Sequence, residues 1–391
     1  MTTPLPTGST IGILGGGQLG RMLSVAASRL GFKTHIFEPG ANPPAGQVAD
    51  RVTTAAYEDA EALTAFANAV DVVTYEFENV ELSAVDVLEP IVPVRPGRRA
   101  LEVAAAGVTS ATARGIQARD ISGTVLNSGG IFADARASNG SATAYGFQVD
   151  EVHNQLTNDG PLMIAANGTR NGAATGILTD LVQGALTNNG SITVAGQGSS
   201  GSAAGIRASS IAANGTLTNT GTIKAVAEGQ GAGASVEGIR VLGRVAGALE
   251  NSGQITVQAI DTVSADSTGI LTIAVDGSLT NSGTITVAAG GGSFAFVEGI
   301  EVRGNVDGSF DNSGAVTVQA VGTSSAYVDG INTTDIGGTF SNSGVISAFA
   351  QADFAGADGS ALDDVLGSAD NSGDISARAS GDTTARASGI A

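Results

Sequence analysis

Three glycines near the start of the chain have the spacing of a phosphate-binding loop. The motif Gly-x-Gly-x-x-Gly falls at Gly15, Gly17 and Gly20, and an acidic residue, Glu38, follows within the next segment. Glycines at these positions permit a tight turn, close approach of a ligand to the backbone and close packing of the next helix. The start of that helix favours an anion through its N–H groups and dipole. The alternative is a tight turn that binds no ligand.

Two further acidic residues, Glu76 and Glu78, follow the apolar segment 71–75. If that segment is a parallel strand, its carboxyl end lies where such sheets bind ligands. The alternative interpretation is a solvated strand end with no ligand.

The elements that must position these residues follow a β-α-β pattern. Residues 11–14 and 33–37 are predicted to be parallel strands, and residues 21–30 a helix that ends at Gly31. Residues 57–69 predict a second helix and residues 71–75 a third strand. The expected fold of residues 1–105 is therefore an α/β Rossmann-like domain.

The segments 11–22, 75–80 and 92–101 closely resemble the N-terminal, pre-ATP-grasp domain of N5-carboxyaminoimidazole ribonucleotide synthetase, an ATP-grasp ligase of purine biosynthesis. The resemblance implies that the glycine-rich loop and the strand-end glutamate face the substrate aminoimidazole ribonucleotide, with Glu78 as a lesser candidate. The ligand-binding residues implied in this way are Gly15, Gly17, Gln18, Leu19, Gly20 and Glu76.

The resemblance stops near Val103, after about a quarter of the chain. The family continues with an Asp-Arg pair and a lysine-bearing ATP-grasp region, and neither follows here. ATP and magnesium are therefore expected as cofactors only if that region is supplied elsewhere. No catalytic residue is predicted.

The composition excludes several classes of chemistry. The chain has no cysteine, which excludes disulfides, thiolate zinc sites and a cysteine nucleophile. Two histidines, His35 and His153, cannot build a histidine-rich metal site, and a net charge of −19 argues against a nucleic-acid partner. The sequence contains no apolar run long enough for a membrane span. Its first residues also lack the basic and apolar segments of a secretory signal.

From about residue 106 the sequence repeats with a period of about 30 residues. Two independent sequence motifs, here called markers, recur with this period. The first is Asn-x-Gly, which begins at Asn127, Asn158, Asn188, Asn219, Asn251, Asn281, Asn312, Asn342 and Asn371. The second is Gly-Ile or a close variant, which begins at Gly115, Gly146, Gly176, Gly205, Gly238, Gly269, Gly299, Gly330 and Gly389, with a degraded copy near Ser360.

A typical copy, residues 277–302, alternates apolar and polar residues and so predicts short strands. Leu279, Ile285, Val287 and Ile300 are expected to point into the core. One rung cannot bury its own apolar face, whereas stacked rungs form a continuous core. The fold class predicted for residues 106–391 is an all-β parallel β-helix, or solenoid, of about nine rungs with two or three strands each.

The Asn-x-Gly marker is expected to turn a corner in the left-handed conformation that Asn and Gly tolerate. Asparagine amides stacked in register can also bond to one another along the rod. The acids of this region look scattered, and His153 has no evident partner. Four of these acids are predicted to be solvated, namely Asp307, Asp311, Asp329 and Asp335.

The repeats resemble the passenger repeats of bacterial autotransporter or adhesin-like surface proteins, which implies an extracellular scaffold. The N-terminal part instead suggests a cytoplasmic protein, so the localisation stays open. The chain looks like a fusion. It ends just after a repeat marker at Gly389, as a truncated solenoid would, so exposed strand edges are expected to permit end-to-end or edge self-association.

Two functions follow from this sequence. The first is a non-catalytic, surface-type β-solenoid scaffold that carries an isolated nucleotide- or ribonucleotide-binding domain. The second is a purine-biosynthesis ligase, inactive without its ATP-grasp region. The N-terminal domain is expected to expose an apolar patch without that region, unless a predicted helix at 98–105 packs on the first rung.

Overall fold

A computed structural model describes residues 5–75, 82–95, 106–107 and 110–390. The chain divides into two compact units, Met1–Ala104 and Ala105–Ala391. The predicted helix at 98–105 lies outside the described residues. In the part of the chain that is described, no helix has both the length and the apolar character needed to span a bilayer.

The N-terminal unit is a parallel sheet with helices packed against it, which confirms the predicted α/β fold. The strands lie in the order β3-β2-β1-β4. Their bounds are β1 Thr10–Leu14, β2 Lys33–Phe37, β3 Arg51–Thr53 and β4 Val72–Tyr75. The helices are α1 Gln18–Arg29, α2 Ala60–Ala67 and α3 Leu82–Leu88, with a 3-10 turn at Pro44–Gln47.

Two helix boundaries differ from the predicted ones for local reasons. Helix α1 begins three residues early because Gly17 is its N-cap residue and the glycine-rich loop leads directly into it. Helix α2 begins at Ala60 because the side chain of Asp59 accepts a hydrogen bond from the Ala62 backbone N–H at 3.0 Å. The predicted end of α1 is correct, since Gly31 adopts a φ of 82° that other residues rarely adopt.

One face of α1 is apolar and exposed. Leu19, Met22 and Leu30 are exposed by 56%, 67% and 67%, and Leu23 by 41%. These positions follow the i, i+3, i+4 pattern of a single helix face. The expected exposed apolar patch of this domain is therefore present, on a helix. Most large apolar side chains of the other elements are buried, including Phe37, Phe66 and Leu88, whereas Val52 of β3 is 40% exposed.

The second unit is the predicted parallel β-solenoid, and each complete rung contributes three strands. Corresponding strands stack into three parallel sheets, here called the long, short and medium sheets after the length of their strands. The described strands of the short sheet are β7 Thr124–Asn127, β10 Gln155–Asn158, β13 Ala185–Asn188, β16 Thr216–Asn219, β19 Ala248–Asn251, β22 Ser278–Asn281, β25 Ser309–Asn312, β28 Thr339–Asn342 and β31 Ser368–Asn371.

The other two sheets stack with the same step. The described strands of the medium sheet are β5 Ala106–Gly107, β8 Ile131–Ala137, β11 Leu162–Gly168, β14 Ser191–Gly198, β17 Thr222–Gly229, β20 Gln254–Ile260, β23 Thr284–Gly290, β26 Ala315–Val321, β29 Val345–Gln351 and β32 Asp374–Ser380. Those of the long sheet are β6 Ser110–Ile121, β9 Ser141–Val152, β12 Asn171–Val182, β15 Ser200–Ile211, β18 Ala234–Val245, β21 Ser264–Val275, β24 Phe294–Val302, β27 Ser325–Ile336, β30 Phe354–Val365 and β33 Thr384–Ile390.

The solenoid core is built from the predicted inward positions. Leu279, Ile285, Val287 and Ile300 are each exposed by 1% or less. Equivalent residues of neighbouring rungs pair in register, as Ile300 does with Ile331, so apolar columns run along the rod. Ser360 occupies the same column in the degraded copy, and its hydroxyl is buried with no hydrogen-bond partner among the described residues.

The expected left-handed corner at Asn-x-Gly is wrong. Neither the nine asparagines nor the glycines two residues after them have a positive φ. From Gly160 onward these glycines are required for a different reason, since a Cβ atom would clash with a backbone carbonyl oxygen of the preceding rung. At Gly146 of the Gly-Ile marker, a Cβ would meet the Gly176 carbonyl oxygen. Both sequence markers therefore lie where the backbones of neighbouring rungs approach each other closely.

The predicted asparagine ladder is confirmed. In each step the side-chain Nδ2 of one asparagine donates to the Oδ1 of the next, from Asn127 to Asn371, at 2.6–2.8 Å. The seven asparagines between these two are at most 1% exposed. Several donate a second bond to the carbonyl oxygen of the glycine two residues later, as Asn158 does to Gly160. The ladder thus satisfies buried amides on every rung.

Candidate functional sites

The glycine-rich loop connects β1 to α1 at the carboxyl edge of the sheet. Gly15 adopts a φ of 106°, which favours glycine, and its N–H donates to the Phe37 carbonyl oxygen at 3.0 Å. Gly17 is the N-cap of α1 and supplies no side-chain acceptor. The N–H groups of the first helical turn, which includes Gln18 and Leu19, have no acceptor within the helix. The turn is thus shaped to receive an anion.

Glu38 closes one side of this loop. Its carboxylate accepts hydrogen bonds from the backbone N–H of Gly16 at 2.7 Å and of Gly40 at 3.1 Å. A carboxylate at the Gly16 N–H excludes a second anion from that position. An anionic ligand would therefore contact the helical start at Gln18 and Leu19, whose side chains are exposed.

The strands that precede the other predicted ligand contacts end together. Leu14 and Tyr75 are register partners at the ends of β1 and β4. Gly20 is buried in α1, as expected for a glycine that permits close packing. Glu76 and Glu78 lie outside the described residues. Their predicted contacts with a ligand remain predictions.

A second group of ionisable residues lies on the outer face of the long sheet and was missed in the sequence. Glu298, Asp329 and Asp358 are register partners on three consecutive rungs. Their sequence separations match the period of the repeat, which is the signal that identifies them. The acids of this region are therefore not scattered. Glu301 lies close enough to raise the pKa values of Glu298 and Asp329, and it also raises that of Asp266.

Glu298 is the buried centre of this acidic group, at 1% exposure. Its Oε1 accepts a hydrogen bond from Asn332 Nδ2 at 3.0 Å. The neighbouring Glu301 accepts from Arg303 Nε at 2.6 Å, while its Oε2 has no partner among the described residues. If Glu298 is protonated, its carboxyl O–H can donate a hydrogen bond to the carboxylate of Glu301.

The pKa values of the group are raised by burial and mutual repulsion. Burial, the hydrogen bond with Glu301 and the charge of Glu301 raise the pKa of Glu298 to about 9. Burial and the charge of Asp358 raise the pKa of Asp329 to about 6, so its predicted role as a solvated acid is wrong. The pKa of Asp266 is also raised, first by burial and then by Glu237.

Two shallow cavities flank the acidic group. One of about 180 Å³ is lined in part by Tyr145, Arg207 and Glu237, and one of about 290 Å³ by Tyr327, Asp358 and other residues. Neither cavity is lined by Glu298. At 1% exposure the carboxyl of Glu298 is closed to a substrate, which favours a structural role over acid catalysis.

Comparison with known proteins finds a family match for the N-terminal unit. Residues 8–105 match the family model of the ribonucleotide synthetase pre-ATP-grasp domain. The first hundred residues are a pre-ATP-grasp domain. This confirms the resemblance seen in the sequence, and a β-solenoid follows that domain in the same chain. The pairing of the two is consistent with a fusion.

The N-terminal residues are similar to enzymes of purine synthesis. N5-carboxyaminoimidazole ribonucleotide synthase of Brucella melitensis is 57% identical over 101 residues, which are 26% of this chain and 28% of that enzyme. A bifunctional purine synthesis protein purC/E of Dictyostelium discoideum is 54% identical over 97 residues, 25% of this chain and 10% of that protein. The chain thus spans about a quarter or less of the length of these relatives.

Solved structures also match about a quarter of the chain. The ADP complex of purK, an N5-carboxyaminoimidazole ribonucleotide synthetase, is 42% identical and covers 27% of this chain and 28% of its own, with a TM-score of 0.26.

Proposed function

We propose that this protein is a non-catalytic β-solenoid scaffold that carries a ribonucleotide-binding domain. The continuous asparagine ladder is the observation that supports the scaffold, because it joins the rungs from Asn127 to Asn371 through buried hydrogen bonds. Stacked rungs with a shared core and buried amide ladder make a rigid rod. A surface role of the autotransporter or adhesin type fits such a rod.

The ligand of the N-terminal domain is proposed to be aminoimidazole ribonucleotide. Its phosphate would lie at the start of α1, against the backbone of Gly17, Gln18 and Leu19. Gly15 and Gly20 would shape the loop, and Glu76 would contact the ligand from the end of β4. The similarity of residues 8–105 to the synthetases supports this assignment.

Calorimetric titration of aminoimidazole ribonucleotide into the full chain tests the ligand. We expect binding by the unaltered protein and at least a ~10-fold loss in Glu76→Gln, since a charged hydrogen bond contributes about 1.5–3 kcal/mol. Glu58→Gln removes an exposed acid from the same domain and is the matched control. No heat of binding from a folded sample, or equal affinity in both variants, would refute the proposed site.

The alternative function is a purine-biosynthesis ligase, supported by the same similarity. Release of ADP from ATP in the presence of aminoimidazole ribonucleotide distinguishes the two. The scaffold proposal predicts no release above the rate without protein, whereas ligand-dependent release that is lost in Glu76→Gln would establish the ligase.

A further inference from the structure

A histidine and two carboxylates meet on the surface near the first rungs of the solenoid. Asp120 of β6 and Glu151 of β9 are register partners, and His153 follows β9 directly. One ligand atom from each residue lies within 4.8 Å of the other two. His153 has partners in the fold, contrary to the expectation from its sequence.

The contacts of His153 define which ring nitrogen is available. Its Nδ1 lies 3.0 Å from Gln183 Oε1, which can accept a hydrogen bond from the tautomer protonated at Nδ1. Its Nε2 lies 3.1 Å from Glu151 Oε2. A neutral imidazole would then direct a lone pair at a carboxylate, with Asp120 stacked beside it. In that tautomer the Nε2 lone pair and the carboxylate oxygens are all available as metal ligands.

The distance between His153 and Glu151 suits a shared metal ion. Nitrogen and oxygen ligands lie about 2.0–2.2 Å from a zinc ion, which places neighbouring ligand atoms roughly 3.0–3.5 Å apart. The 3.1 Å between Nε2 and Oε2 falls in this range. The His153 and Glu151 side chains are 36% and 39% exposed, so an ion from solvent can reach both. A carbonyl that holds the other ring nitrogen is the usual second partner of a metal-binding histidine.

We propose that Asp120, Glu151 and His153 bind a divalent transition-metal ion, with Gln183 positioning the imidazole. An imidazole ligand favours zinc and similar ions over calcium and magnesium, which prefer oxygen ligands alone. Water would complete the coordination, because the site is open. The ion would join the first two rungs at a point where two carboxylates otherwise repel each other.

Calorimetric titration of zinc chloride into the full chain without a polyhistidine tag, with excess calcium present, tests this site. We expect one zinc ion per chain, loss of binding in His153→Gln, and about 10-fold weaker binding in Gln183→Ala. Glutamine is tolerated at this place, since Gln183 is the equivalent residue one rung later. The other histidine, His35, is buried in the N-terminal unit.

The solenoid offers a matched control. Asp335 and Asp364 are register partners at the same place on later rungs, and no histidine accompanies them. Asp335→Asn should leave zinc affinity unchanged, whereas Asp120→Asn should weaken it. Zinc binding by His153→Gln equal to that of the unaltered chain, or equal losses in Asp120→Asn and Asp335→Asn, would show diffuse binding to acids and overturn the proposal.

Discussion

Glu298 illustrates at the residue scale what one sequence can and cannot reveal. Its spacing from Asp329 and Asp358 follows the repeat, so their stacking on one face is predictable from the sequence. Its burial is not, because that depends on how Glu301, Arg303 and neighbouring rungs cover it. The expectation that Asp329 is solvated was wrong for the same reason, because contacts between rungs decide its surroundings.

The raised pKa of Glu298 predicts an unusual pH dependence of solenoid stability. The pKa is about 9 in the folded protein against 4.5 as the ordinary value, so the folded state retains a proton that the unfolded state loses. Stability is therefore full below about pH 4.5 and falls as pH rises towards 9, by up to ~1 kcal/mol per pH unit. Asp329 adds to the fall up to about pH 6.

Glu298→Gln should remove most of this dependence, because the amide imitates the protonated acid. The variant and the unaltered chain should have similar urea midpoints at pH 4.5, and the variant should be the more stable at pH 8. Asp311→Asn removes an exposed acid of the same rod and serves as control. Parallel pH curves for Glu298→Gln and the unaltered chain would contradict the assigned protonation.

At the scale of the strand and the rung, the asparagine ladder shows what the sequence can predict. Its existence was predictable from nine asparagines at one step, because parallel rungs place identical side chains side by side. The reason for the adjoining glycines was not predictable. The carbonyl oxygens of the preceding rung come close to these glycines only once the rungs are stacked. The helix starts were set by local caps that the apolar pattern did not reveal, as the cap at Asp59 shows.

Asn281→Ala should destabilise the solenoid by about 2–4 kcal/mol, because it leaves one N–H of the Asn251 amide and the Oδ1 of Asn312 buried without their ladder partners. Asn305→Ala removes an exposed asparagine and should cost less than ~0.5 kcal/mol. Urea unfolding followed by far-ultraviolet circular dichroism measures both. Equal midpoints for the two variants would show that the ladder does not stabilise the rod.

At the scale of the whole molecule, the chain joins a pre-ATP-grasp domain to a β-solenoid. The change of composition and the onset of the repeat made both fold classes predictable. The ligand contacts were implied by resemblance and rest on residues that partly lie outside the described chain. We propose that ligand binding belongs to the first unit and mechanical support to the second.

Differential scanning calorimetry with and without aminoimidazole ribonucleotide tests that claim most directly. A ligand raises the unfolding temperature of the native unit that binds it. We predict two transitions, of which the ligand shifts only that of the N-terminal unit, with no shift in Glu76→Gln. A ligand-induced shift of the solenoid transition, or no shift of either transition at saturating ligand, would contradict the account.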